Sequence, residues 1–175
     1  ALSRDSQGIC AVARTEAIET SLPEIQSGDT LVVIAQGRDP GNVGTIMRTA
    51  DAMGARAIIS VKGSVDSSSP KVIRSSAGSV FHLPIVPAAS FGEACQTLRG
   101  MNAAILGTSG AQGAYSLTSL MSYAAWERRG WLAQTHAWVF GNEAQGMSDD
   151  EMAACDALVM IPMSGRAESL NVASA

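Results

Sequence analysis

Histidine and cysteine are scarce in this chain, with two of the former and three of the latter among 175 residues. Cys10, Cys95 and Cys155 form no CxxC pair, and neither His82 nor His136 has a cysteine, an acid or a second histidine at ligand spacing. No metal site is expected; the thiols read as reduced and mostly buried, the histidines as structural. Long apolar runs are also missing. The longest, such as Leu31 to Ala35 and Ala157 to Ile161, fall far below the roughly 20 residues that a membrane-spanning helix needs. The first residues show no charged segment leading into an apolar one, so no signal peptide can be read and a cytoplasmic location is the expectation. Basic residues are not in excess: the formal charge of −4 argues against binding nucleic acid mainly through a broad basic surface. GxGxxG after a strand, GxxxxGK[ST], GxSxG and HExxH do not occur, so the classical dinucleotide, Walker, α/β-hydrolase and zinc-protease readings lose support.

What is present is a hydrophobic fraction of 46%, enough for one domain with a substantial core. Residues 1–29 are scattered and polar, with only Gly8 to Ala13 resembling a strand, and read as a lead-in or linker. From Thr30 onward short apolar segments alternate with helical ones. Strands are expected at Leu31–Ala35, Ala57–Val61, Val80–Val86, Ala103–Leu106, Trp138–Phe140 and Ala157–Ile161, and helices at Val43–Met53, Phe91–Leu98 and Asp149–Cys155. This alternation predicts an α/β fold with a parallel sheet flanked by helices. Gly63 to Pro70 reads as a surface loop. Ser169 to Ala175 resembles the opening turn of a helix, so a truncated C-terminal helix is expected.

Three polar, glycine-bearing loops follow apolar strands, the position where open α/β sheets bind ligands. The first, Gln36 to Gly44, leads into a helix that Asn42 can cap and on which Arg48 points outward about two turns further on. In the second, Gly141 to Gly146, one carboxylate, Glu143, stands between glycines that allow close backbone approach, and Ser148 caps the following helix. The third, Pro162 to Asn171, brings Ser169 and Asn171 to a helix start, with Ser169 as a possible cap. Each taken alone fits an ordinary strand-to-helix turn.

In order, Asp39-Pro40-Gly41-Asn42-Val43-Gly44-(x)3-Arg48, Gly141-Asn142-Glu143-(x)2-Gly146 and Ile161-Pro162-Met163-(x)5-Ser169-Leu170-Asn171 resemble the three motifs of the SpoU (TrmH-like) branch of the SPOUT RNA methyltransferases. The resemblance runs from about Leu31 to the last residue. It implies a C-terminal deep trefoil knot, a homodimer, and transfer of a methyl group from S-adenosylmethionine to a ribose 2′-hydroxyl of ribosomal or transfer RNA, with ribosomal RNA the preferred partner. It also implies that residues 1–29 connect to an N-terminal RNA-binding domain and that 30–175 form the catalytic domain. Thr108, Gly141, Asn142, Glu143, Gly146, Ile161, Met163 and Leu170 would then hold the cofactor; Arg48, Asn42, Glu143, Ser169 and Asn171 would form the catalytic group. A guanidinium is a poor proton acceptor, so Arg48 is read as stabilising the developing alkoxide and clamping a phosphate. Glu143 is the only anionic candidate for the proton. The rival reading is a non-catalytic RNA- or nucleotide-binding module on the same fold.

Overall fold

The computed structural model describes residues 11–127, 130–166 and 169–175. Seven strands form one sheet: β1 (Thr30–Ile34), β2 (Ala57–Val61), β3 (Ile85–Ala88), β4 (Ala104–Thr108), β5 (Tyr115–Ser116), β6 (His136–Phe140) and β7 (Ala157–Met160). Their order is β3-β2-β1-β6-β4-β7-β5, and every pairing is parallel. Five helices connect them: α1 (Pro40–Ala52), α2 (Pro70–Ser75), α3 (Phe91–Gly100), α4 (Leu117–Glu127) and α5 (Asp149–Ala153).

Successive strand residues point to opposite faces of a sheet, and here both faces are covered. Leu31 and Val33 of β1, Ala57 and Ile59 of β2 and Ile105 of β4 pack with Ala94, Cys95 and Leu98 of α3. The alternate residues, Val32, Ile34 and Ile58, pack with Val43, Ile46 and Met47 of α1 and Val72 of α2. On that same side Leu106 and Val159 meet Leu117, Leu120 and Trp131. Burying each large aliphatic side chain contributes roughly 1.5–3 kcal/mol, which is why these strands read as unbroken apolar runs. The segment before β1 joins the same packing: Ile18 is buried, Leu22 and Ile25 lie against the core, and Thr20 N–H donates to Ile85 O at 2.9 Å.

Two expected strands change. The strand foreseen at Val80–Val86 is a 3-10 turn, Ser79–Phe81, followed by β3 from Ile85. Ser79 and Val80 are buried there, so their apolar pattern marks the underside of a turn packed on α1. The loop read from Gly63 to Pro70 runs straight into α2, capped by the Ser69 hydroxyl, which accepts from Val72 N at 3.4 Å. Of the strand resembled by Gly8 to Ala13, residues 11–13 carry no strand and 8–10 lie outside the described residues. His82 is exposed and 3.3 Å from Asp51, whereas His136 is buried, lies 2.8 Å from Gln134 O and 3.3 Å from Thr30 Oγ1, and stacks edge-on against Trp138. Cys95 is buried and Cys155 half-buried, both as free thiols; Cys10 lies outside the described residues. Among the described residues no helix is long and apolar enough to cross a membrane.

Candidate active site

The register of the sheet brings the loops together. Ile34 of β1 sits opposite Phe140 of β6, Gly107 of β4 opposite Val139, and Thr108 opposite Val159 of β7. The segments that follow these four strands therefore leave the same edge of the sheet. From β1 the chain proceeds to β2 and β3 on one side, then crosses back to β4, leaving β6 to enter between β1 and β4. Such a reversal of strand order opens a crevice at the carboxyl ends.

The helix that carries Arg48 begins with Pro40, whose fixed φ suits a first helical position, and is capped by Asp39, not Asn42. Asp39 Oδ1 accepts from Asn42 N–H at 2.9 Å. That bond, followed by the Lys71 ammonium 3.4 Å from Oδ2, holds the Asp39 carboxyl below the usual carboxylate range. Because Asp39 does the capping, the Asn42 amide is free to reach sideways. Its Nδ2 donates to Glu143 Oε1 at 3.5 Å, and its Oδ1 accepts from Asn171 Nδ2 at 3.2 Å. One side chain from each of the three motif loops thus stands in a single hydrogen-bonded row.

Glu143 also accepts from the backbone N–H groups of Arg38 and Asp39, at 3.3 and 3.2 Å. Its loop is a tight turn in which Asn142 and Gly146 exchange backbone hydrogen bonds at 2.9 and 2.8 Å, and Asn142 Oδ1 accepts from Ala144 and Gln145 N–H. The turn closes only over glycine. A Cβ on Gly141 would lie 2.6 Å from the Gly146 carbonyl, and Gly146 itself has φ of 70°. Behind the turn, Ser148 caps α5 in a reciprocal pair with Glu151. Buried Glu151 accepts from Ser148 N–H and from Gln36 Nε2, both at 2.8 Å. A carboxylate so placed ties the loop after β1 to the loop after β6.

The described parts of the third segment follow β7 at one end and lie beside α1 at the other. Val172 and Ala173 pack against the core beneath α1, and Asn171 caps the final turn by accepting from Ala173 N–H at 2.9 Å. The expected cap, Ser169, is exposed and makes no hydrogen bond with another described residue. Ile161 is half-buried, while Met163 and Leu170 expose apolar side chains beside the crevice. Thr108 ends β4, its hydroxyl donating to Val139 O at 2.8 Å. Arg48 is exposed on α1 and without an ion pair among the described residues.

Reading the motifs alone misses Gln36, Glu151 and Lys71. The spacing Ser148-x-x-Glu151 is a visible capping-box signal, but that Glu151 also meets Gln36 depends on a contact across 115 positions.

The fold and the three-loop cluster are those of a known class: the chain belongs to the SpoU rRNA Methylase family, whose profile matches residues 29–175. It is 34% identical over 149 residues to the 23S rRNA (uridine(2479)-2′-O)-methyltransferase of Streptomyces viridochromogenes, covering 82% of this chain and 48% of that protein. It is 31% identical over 173 residues to the 23S rRNA (guanosine-2′-O-)-methyltransferase RlmB of Bordetella pertussis, covering 97% and 66%. Among solved structures, the SpoU methyltransferase AviRb of S. viridochromogenes in complex with the cofactor AdoMet matches with a TM-score of 0.74 and 31% identity, over 87% of this chain and 58% of that one. The chain therefore spans about half to two thirds of these relatives.

Proposed function

We propose that this chain is the catalytic domain of an S-adenosylmethionine-dependent methyltransferase that modifies a ribose 2′-hydroxyl of ribosomal RNA in the cytoplasm. The observation that carries the reading is the row Asn171–Asn42–Glu143, one residue from each motif loop, with Arg48 exposed on the adjoining helix. The names of the relatives support the ribosomal substrate.

The residues fit the cofactor by their chemistry. Gly141 and Gly146 carry no side chain, so the backbone at both ends of this turn is open to a ligand, which suits recognition of an adenine edge by amides and carbonyls. Exposed Met163 and Leu170, with Ile161 beside them, suit its apolar faces. Thr108 and Asn142 fix the two neighbouring loop starts. S-adenosylmethionine supplies a methyl group already activated by a positive sulfur.

The protein must therefore align the hydroxyl and ease loss of its proton. Arg48, always charged, stabilises the developing alkoxide and anchors a neighbouring phosphate. Three N–H groups already converge on Glu143, so its first task is to hold the loop after β1, with its free lone pairs left to accept the proton through water. Asn42 and Asn171 orient the ribose, and Ser169 lies two residues from Asn171 to join them. A trefoil knot formed by the segment after β7 is part of the proposal, supported by the packing of Val172 and Ala173 against the α1 cluster. A homodimer, and an RNA-binding domain joined through residues 1–29, complete the proposal.

Calorimetric titration with S-adenosylhomocysteine tests it without the RNA. Stoichiometric binding is expected. A folded chain that binds none would leave the non-catalytic module as the better reading.

A further inference from the structure

The charge of the molecule is not evenly spread. Residues 38–74 contain six of the twelve Lys and Arg but only three of the sixteen Asp and Glu, so this stretch is positive within a chain of net charge −4. The fold gathers five of the six around the β2 side of the site. Arg38 follows β1, Arg48 lies on α1, Lys62 follows β2, and Lys71 and Arg74 stand three apart on α2; all are exposed. The sixth, Arg56, lies at the opposite end of the sheet beside Asp29.

These positions are held by backbone contacts. Residues three apart share one face of a helix, and buried Val72 marks the opposite face of α2. Ser75 Oγ donates to Pro40 O at 2.9 Å, and Gly44 lets α2 approach so closely that a Cβ there would fall 1.9 Å from Ser75 Oγ. Ser64 Oγ accepts from Gly37 N–H at 3.1 Å and donates to Ile34 O at 3.2 Å, which pins the turn after Lys62 to the loop after β1. Lys71 contacts Asp39, but both partners are half-exposed, and such pairs contribute little in water. Its ammonium can exchange that partner for another anion.

Accepting the methyltransferase reading above, we infer that Lys62, Lys71 and Arg74 form a phosphate-tracking face along which the RNA strand enters the site. The strand then approaches from the β2 side, past Arg38 and Arg48, while the loops after β4, β6 and β7 keep the methyl-donor side. An acidic protein can hold RNA this way because the basic groups are concentrated where the strand must pass.

The test uses the full chain and a short fluorescein-labelled single-stranded RNA, with anisotropy followed across a salt series. Removing one cation that neutralises a phosphate should flatten the slope of log affinity against log salt by about 0.7. The combined Lys62→Gln, Lys71→Gln, Arg74→Gln variant should therefore flatten it by about 2. A matched variant at Arg14, Arg56 and Arg99, outside the face, should keep the parent slope. Calorimetry with S-adenosylhomocysteine, unchanged in both variants, shows that the fold and cofactor site survive. The inference is overturned if the first variant keeps the parent slope, if the matched variant flattens it as much, or if the parent binds S-adenosylhomocysteine but shows no salt-dependent RNA binding. A parent that binds RNA with this dependence but no S-adenosylhomocysteine defeats the methyltransferase reading and leaves the face standing.

Discussion

The two edges of the sheet are built differently. At the amino ends of β4, β6 and β7 lies an open cleft of about 610 Å³ lined by Arg99, Asn102, Gln134 and Asp156 among others. Its polar groups serve the backbone around them: Arg99 donates to Ala154 O at 2.8 Å, and Asp156 accepts from Ile105 N–H at 2.7 Å. At the carboxyl ends side chains meet side chains across the loops, as Asn42 does with Glu143 and Asn171, and Gln36 with Glu151. The cleft alone would choose the amino edge. Convergence of polar side chains from strands distant in sequence chooses the other.

Substitutions on matching positions of the two edges test that contrast. The largest effect is expected from Arg48→Ala, which should lower methyl transfer by about 10²–10³-fold, the loss typical of removing one transition-state donor. Affinity for S-adenosylhomocysteine should stay unchanged, and Arg99→Ala at the amino edge should leave turnover near the parent value. Equal losses in the two arginine variants would erase the distinction. Next, Gly141→Ala should abolish S-adenosylhomocysteine binding and destabilise the fold by about 1–3 kcal/mol, because the new methyl meets the Gly146 backbone. Gly100→Ala, where a Cβ would meet nothing within 4 Å, should leave binding unchanged and should not lower the melting temperature.

A smaller effect is expected at the strut between loops. Glu151→Gln replaces a charged acceptor by an amide that Gln36 can meet only by turning its own amide over, and should cost about 1–3 kcal/mol by denaturant unfolding. Adding Gln36→Glu reverses donor and acceptor, so most of the loss should return, with turnover recovering alongside stability. A double variant no better than the single one would show that the two side chains are not coupled. The smallest effect is electrostatic. Burial, with Cys95 and Asp156 nearby, pushes the Cys155 thiol from 9.0 up to about 12. A raised value favours the neutral thiol in the folded state, so its stabilisation is complete below pH 9 and is lost as pH rises toward 12. Cys155→Ala should therefore show a shallower alkaline fall in melting temperature than the parent, and parallel curves would refute this.

Much of the site was legible because its motifs are local. Asp39-Pro40, Gly141 to Gly146 and Ser169 to Asn171 each declare a strand-to-helix turn, and β1, β2, β6 and β7 stand out as short apolar runs between polar loops. Elements lacking a clean period were not legible. In α4, Met121 and Tyr123 are exposed among apolar neighbours, so no polar face announces a helix, and β5 has only two residues. Asn42 was mistaken for the cap because Asp and Asn are nearly equivalent caps; the proline at position 40 decides for Asp39. The entry of β6 between β1 and β4 is wholly non-local, and so is the meeting of Gln36 with Glu151.

That entry of β6 sets a timetable for synthesis. When Ile34 leaves the ribosome, one side of β1 can pair with β2 almost at once, but its other side must wait for Phe140, roughly a hundred residues later. At a translation rate of about 5–20 residues per second, the wait lasts roughly 5–20 seconds. During that interval the nascent chain presents an unpaired edge of Leu, Val and Ile to its surroundings, a situation that invites chaperones and threatens aggregation. The pairing of β1 with β6 is thus among the last contacts to close, and the newborn chain cannot bring its three motif loops together until the sheet is complete.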